Sequence, residues 1–164
     1  MQHVLVAAHL VAISTYLGAT ILVGVLIETI GTHAADAFRR RQRYAQIFSA
    51  YNPLAIGALG VVVMTGAWGL TPYKQALGAG YFEAVGSGLA TKLALAFVVI
   101  LMATYVCFGI CHRLVRAHQW SMPVTDADLD RMRRHLRVAI WLTCAMTVVT
   151  LWVATGLDAP PLAG

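Results

Sequence analysis

The chain has 164 residues, of which 59% are hydrophobic and only 12% are charged. Soluble globular domains carry about a quarter charged residues, so this composition excludes an ordinary soluble protein and indicates that lipid is the solvent. In a soluble chain the net charge of +5 would suggest a nucleic-acid partner. Here the basic residues lie between apolar segments, and we expect no nucleic-acid partner.

Four apolar segments are long enough to cross a bilayer, whose hydrocarbon core requires about 20 helical residues. They cover residues 4–27, 47–70, 89–110 and 138–157. Helices and closed barrels are the structures that satisfy the backbone in lipid, and these segments are too long for barrel strands. We therefore predict an all-α fold, an integral membrane four-helix bundle that forms a single transmembrane domain over residues 1–164. The first segment is not preceded by Lys or Arg, which is atypical of a signal peptide, and we interpret it as a retained span.

The distribution of arginine predicts the orientation of these spans. Four of the ten arginines lie between spans one and two, and the other six lie between spans three and four. In the loop between spans two and three the only basic residue is Lys74. Cytoplasmic loops carry an excess of Lys and Arg, so both arginine-rich loops are expected in the cytoplasm. This prediction has both termini on the non-cytoplasmic side of a bacterial inner (cytoplasmic) membrane.

Local signals predict where helices begin and how cysteines are used. Pro53 is expected in the first turn of span two, where proline is tolerated. Residues 121–130 indicate a solvated loop, with a helix that starts at Thr125 or Asp126. The cysteines lie in or beside apolar segments, and we interpret them as small packing residues rather than a disulfide framework. They are Cys107, Cys111 and Cys144.

Two ionisable residues lie inside the predicted spans near their outer ends. His9 is five residues into span one, roughly 8 Å below the boundary, with Tyr16 and Thr20 on the same helix face. Ionisable residues at membrane depth are costly and indicate function, and imidazole is a common metal and haem ligand. The alternative is an interfacial histidine bonded to a carbonyl group. Lys92 lies at a similar depth in span three, either as part of the same site or as a lysine that snorkels to the interface.

A second pair of histidines lies at the predicted inner ends. His112 closes span three and His135 precedes span four. Two histidines at equal depth on different helices are what a bis-histidine haem requires, so both are candidate metal ligands together with His9. The alternative is that they belong to the basic cytoplasmic rim beside the arginines.

Three stretches resemble a superfamily that joins HemJ-type protoporphyrinogen oxidases with CopD-type copper-resistance membrane proteins. The stretches are VAAHLVAISTYLGATILVGVLIETIGTH, YNPLAIGALGVVVMTGAWGL and GLATKLALAFVVILMATYVCFGICHRLVR. The resemblance implies a four-helix bundle that binds haem b, with a span-one histidine and a span-three lysine at the site. On this sequence those residues are His9 and Lys92, while Tyr16 stands where the HemJ type usually has tryptophan.

These observations lead to a principal functional hypothesis and two alternatives. The principal one is a haem-b-binding, cytochrome b-like redox protein, in which Tyr16 bonds a propionate or a substrate and the activity is electron transport or tetrapyrrole oxidation. One alternative is an accessory subunit of a larger respiratory or photosynthetic membrane complex. The other is a copper-handling membrane protein that uses soft Cys and Met ligands. The expected partners are membrane lipid and either further copies of the chain or a larger membrane complex.

Overall fold

Each apolar segment forms part of a longer helix in the computed structural model, which describes residues 2–33, 37–120, 122 and 125–156. The helices, in chain order, are α1 (Gln2–His33), α2 (Ala37–Leu77), α3 (Tyr81–Thr104), α4 (His112–Gln119) and α5 (Asp126–Gly156). A single 3-10 turn, Gly78–Gly80, joins α2 to α3, and a π-helix, Tyr105–Cys111, joins α3 to α4 without a break. Four segments are long and apolar enough to cross a membrane. The prediction of an all-α fold with four helical segments long and apolar enough to cross a membrane is therefore confirmed.

The helices extend well beyond the apolar segments that predicted them. α2 begins at Ala37, ten residues before the predicted span, and the third helical segment continues through α4 to Gln119. The mean hydropathy falls in these extensions because they contain arginines. Arginine is nevertheless a good helix former, so the backbone of the extensions is helical. The expectation that Pro53 lies in a first turn was therefore wrong, because Pro53 lies sixteen residues after the start of α2. The helix continues past it although an interior proline removes one N–H from the backbone ladder and its ring crowds the preceding turn; helices in membranes tolerate proline because neighbouring groups can satisfy the freed carbonyl.

The start of α5 agrees with its sequence signal. The Asp128 amide donates to the Thr125 hydroxyl at 3.2 Å, and the Thr125 amide donates to the Asp128 carboxylate at 3.4 Å. This reciprocal pair is a capping box, which satisfies amides that have no partner inside the helix. The prediction of a helix start at Thr125 or Asp126 is confirmed, whereas Ser121, Pro123 and Val124 lie outside the described residues.

The long helices are arranged around a shared interior. α1 packs against α2 and α5, and α3 packs against the same two helices. Among the described residues no Cα of α1 lies within 8 Å of a Cα of α3, so these two helices are diagonal neighbours. α4 packs against the first part of α2. One end of the bundle therefore holds the end of α1, the starts of α2 and α5, and α4, and we call it the arginine end because it carries all ten arginines.

The core is concentrated from the middle of the bundle to the arginine end. Large, fully buried side chains from α1, α2, α5 and the π-helix meet there: Tyr16, Ile27, Phe48, Val106, Leu136 and Ile140. Two ion-pair clusters close this end. The Glu28 carboxylate binds Arg133 at 2.8 Å and also Arg137. Arg40 binds Asp126 at 2.5 Å and Asp130 at 3.5 Å.

Candidate functional site

His9 lies on the stripe of α1 that faces the interior of the bundle. Residues three, seven and eleven positions further along α1 share its face, and these are Ala12, Tyr16 and Thr20, all of them buried. His9 itself is partly buried. The imidazole is therefore directed toward the bundle interior, one turn beyond the last closely packed residue of α1.

The second helix fixes which ring nitrogen of His9 is free. His9 Nδ1 lies 2.7 Å from the Thr65 hydroxyl oxygen. That hydroxyl donates its single hydrogen to the Val61 carbonyl at 2.6 Å, so toward His9 it acts as the acceptor. We therefore assign the proton to Nδ1, which leaves the Nε2 lone pair available to a ligand.

Gly66 lets the imidazole lie close to the backbone of α2. A Cβ atom added at Gly66 would lie 3.5 Å from His9 Cε1, which is ordinary van der Waals contact. Thr65 thus binds the imidazole of His9 through a hydrogen bond, and Gly66 leaves room for the ring beside α2.

Lys92 lies on the corresponding stripe of α3. Val99 and Ala103, seven and eleven residues further along, are buried and share its helix face. Lys92 is partly buried, and it extends this stripe toward the end of the bundle where His9 lies. Because α1 and α3 are diagonal, the two side chains approach the interior from opposite sides, and the helices themselves are not in contact.

Few of the described residues are buried at the level of His9 and Lys92. Beyond Ala55, none of the described residues of α2 is buried, and among the described side chains of α5 the last buried one is Thr147. In α3 no described residue between Tyr81 and Val99 is fully buried. His9 and Lys92 therefore both lie on the interior stripes, at the end of the bundle where few of the described residues are buried.

Hydroxyl groups line the interior just below His9. Thr20 donates to the Tyr16 carbonyl at 2.7 Å, so the Tyr51 hydroxyl, 3.1 Å from Thr20 Oγ1, acts as the donor to it. Thr143 and Thr147 of α5 donate to carbonyls of their own helix at 2.7 and 2.8 Å, and both are buried. The Tyr16 hydroxyl, although its side chain is only 2% exposed, has no hydrogen-bond partner among the described residues. A buried donor of this kind is costly unless a ligand or water accepts its hydrogen.

The other two predicted histidines lie at the arginine end and away from this site. His112 and His135 are both exposed. Their helices, α4 and α5, have no Cα pair within 8 Å among the described residues. In the described part of the chain, no three His, Cys, Asp or Glu side chains are grouped closely enough to hold a metal ion. A haem iron needs only one or two axial protein ligands, so that finding leaves His9 as a candidate ligand.

A separate groove between α2 and α3 does not extend the site. Its volume is about 360 Å³, and it is lined mainly by apolar side chains that include Ile56, Val63, Ala103, Cys107 and Phe108. None of the described residues that line it is charged or carries an imidazole. It also opens on a different face of α2 from Thr65.

Sequence reasoning identified His9, Tyr16 and Lys92 but not Thr65. A signal for Thr65 was present, because it lies five residues before the predicted end of span two, just as His9 lies five residues after the predicted start of span one. Because spans one and two are antiparallel neighbours, two residues at the same depth, such as His9 and Thr65, could have been predicted to lie close together. Thr143 and Thr147 gave no such signal, because threonine is common in membrane helices when it bonds to its own backbone.

No protein-family model, curated protein or solved structure matches this chain.

Proposed function

We propose that the chain is an integral membrane protein that binds haem b through His9 and has a redox role, either in electron transfer or in oxidation of a tetrapyrrole precursor. The proposal includes an orientation with both termini on the non-cytoplasmic side of a bacterial inner membrane. In that orientation, His9 and Lys92 lie near the outer surface and the arginine end faces the cytoplasm.

The observation that carries the proposal is the hydrogen bond between His9 and Thr65. Histidines that ligate a metal almost always donate their other ring N–H to a fixed acceptor, which sets the tautomer and the ring orientation. The contact that supports this role is His9 Nδ1 directed at the Thr65 hydroxyl oxygen 2.7 Å away. An ordinary interfacial histidine bonded to one carbonyl group would not require such an oriented acceptor on a neighbouring helix.

The remaining residues fit a large, flat, anionic cofactor at the same end. Lys92 is a cation on the interior stripe of α3 and suits a propionate carboxylate, either by neutralising it or by taking a place at the iron. The Tyr16 hydroxyl is a free donor two turns below His9, roughly 10 Å along the helix axis. When bound, haem supplies one-electron chemistry. The chain would orient it, exclude water with apolar walls and balance its charge.

The direct test is the reduced-minus-oxidised visible spectrum of the detergent-purified protein, recorded beside His9→Ala and Lys92→Ala. We expect a b-type spectrum that is lost in His9→Ala and is weakened or shifted in Lys92→Ala. Lys74→Ala is the matched control, because Lys74 is an exposed lysine outside the interior stripes, and its spectrum should equal that of the wild type.

Two other outcomes would redirect the proposal. A spectrum that survives both substitutions would move the ligands to His112 and His135. A protein purified without any Soret band, even after haem is supplied during expression, would leave the copper-handling and accessory-subunit hypotheses in front.

A further inference from the structure

The hydroxyl group of Tyr16 is a donor that the described residues leave without an acceptor. The Tyr16 side chain is only 2% exposed, and its hydroxyl has no hydrogen-bond partner in the described part of the chain. The two hydroxyls next along this interior are satisfied, since Tyr51 donates to Thr20 and Thr20 donates to a backbone carbonyl. A buried donor without an acceptor costs free energy, so Tyr16 points to a ligand that carries an acceptor atom.

The depth of Tyr16 separates it from the charged end of the proposed haem site. Counted from the predicted start of span one at Val4, Tyr16 is about 18 Å deep, beyond the middle of a roughly 30 Å hydrocarbon core. Lys92, three residues into span three, is about 5 Å deep on the same count. Both propionates leave haem from one edge of the ring. A haem that is bound by His9 with its propionates at Lys92 therefore leaves Tyr16 to a second ligand.

The interior at the level of Tyr16 carries no charge. α1 and α2 are antiparallel and Thr20 contacts Tyr51, so Tyr16, one turn before Thr20, faces the turn of α2 that holds Ala55. None of the described buried residues is charged. A carboxylate beside Tyr16 would therefore be a charge at membrane depth without a cation to pair with, which is costly. It follows that the acceptor for Tyr16 is an uncharged group such as a carbonyl oxygen.

The groove between α2 and α3 reaches the same core from the surface of the bundle. Its volume of about 360 Å³ is within the range of small-molecule sites. Ala103 and Cys107 line the groove and also belong to the buried core that contains Tyr16. Gly60 lines the groove on the α2 side, and a Cβ atom added there would meet nothing within 4 Å. A flat apolar ring in the groove therefore meets that core at two small side chains.

We propose that this groove binds a quinone, with one carbonyl oxygen accepting the hydrogen of the Tyr16 hydroxyl past the small side chains of Ala103 and Cys107. A quinone is uncharged, flat and soluble in lipid, and it carries carbonyl acceptors, as the depth, the absence of charge and the groove require. The inference deepens the proposed function, on which it rests for haem at His9, by naming the class of ligand that binds beside the haem.

The hydrogen bond is tested by native mass spectrometry of the full chain in detergent, with decylubiquinone as the probe and Tyr16→Phe as the variant. Phenylalanine keeps the ring and removes the donor, so we expect about tenfold weaker binding. Tyr51→Phe is the matched control, because the Tyr51 hydroxyl is already bonded to Thr20, and it should bind within about threefold of the wild type. Without the probe, Tyr16→Phe should unfold at a temperature no lower than the wild type, since it removes an unsatisfied buried donor. Undiminished binding to Tyr16→Phe, or equal losses in the two variants, would overturn the proposal.

A second pair of variants tests the groove and separates the quinone from the haem. Gly60→Leu should fill the groove and prevent decylubiquinone binding, whereas Gly57→Leu, which has open space but does not line the groove, should not. Oleate that binds in a Tyr16-dependent way would mean a carboxylate site and would contradict the proposal. His9→Ala should still bind decylubiquinone, so a protein that has no Soret band but binds the quinone would remove the haem proposal alone. Loss of the quinone in His9→Ala would mean that Tyr16 serves the haem and would overturn the inference.

Discussion

The hydrogen bond with Thr65 bears on which ring nitrogen of His9 can bind a ligand. An imidazole offers a lone pair to a ligand from one nitrogen, and the tautomer depends on the hydrogen bond that the other nitrogen makes. Thr65 accepts from Nδ1 because its own hydrogen is committed to the Val61 carbonyl at 2.6 Å. If the proposed haem site is right, Thr65 orients the axial ligand without touching the cofactor.

Thr65→Val should therefore weaken haem binding without removing the ligand. Valine keeps the shape of threonine but cannot accept a hydrogen bond, and loss of such an orienting partner typically costs 10–100-fold in affinity. The measurement is haem titration of the apoprotein, followed by the Soret band. Thr65→Ser is the control, since serine can accept from Nδ1 and donate to Val61 in the same way. Equal affinity of the valine and serine variants would show that the tautomer of His9 is set by another group.

At the scale of whole helices, α1 and α5 pack closely against each other at Gly24 and are also connected by ion pairs. A Cβ atom added at Gly24 would lie 3.1 Å from Ile140 Cγ2 and 3.6 Å from Trp141 Cζ2. One turn further along α1, the Glu28 carboxylate binds two arginines of α5. Small residues at a membrane helix interface allow this proximity, and the ion pairs then add directional contacts at its polar edge.

Gly24→Leu should separate α1 from α5 and destabilise the bundle. Overfilling a packed interior costs about 1–3 kcal/mol, and here the obstacle is the buried Ile140. The matched control is Gly57→Leu, because an added Cβ at Gly57 meets nothing within 4 Å. We expect a lower midpoint of thermal unfolding in detergent for Gly24→Leu, and a midpoint close to that of the wild type for Gly57→Leu. Equal effects of the two variants would mean that the proximity at Gly24 does not limit stability.

The sequence predicts the existence of these helices better than it predicts where they end, how they are connected and in which register they pack. Apolar runs of about 20 residues are a strong signal because only helices satisfy the backbone in lipid so simply. The start of α5 was also predictable, since the Thr125 cap acts within one turn. The π-helix at Tyr105–Cys111 was not predictable, because it depends on how four helices fit together. For the same reason the register that brings Thr65 to His9 follows from packing of α1 on α2 and not from local pattern.

Across the whole molecule, packing and charge are divided between the two ends. The arginine end has the buried core, both ion-pair clusters and all ten arginines. The His9 end has interior stripes with few buried residues, and these stripes carry one histidine and one lysine. Stability and function are thus expected to separate along the bundle axis. Substitutions near Phe48 and Leu136 should act on folding, and those near His9 and Lys92 should act on the ligand.

The charge asymmetry predicts which end faces the cytoplasm, and two glutamines of α2 provide a matched pair to test it. Gln42 and Gln75 are both exposed and both helical. They are 33 residues apart along α2, a rise of about 50 Å, which is more than the roughly 30 Å core of a bilayer. In a bacterial host, Gln75→Cys should react with a membrane-impermeant maleimide in intact spheroplasts, whereas Gln42→Cys should react only after lysis. The native cysteines, Cys107, Cys111 and Cys144, are buried and should contribute little background. The reverse pattern would invert the orientation and put His9 on the cytoplasmic side, and labelling of both sites in intact spheroplasts would mean that α2 does not cross the membrane.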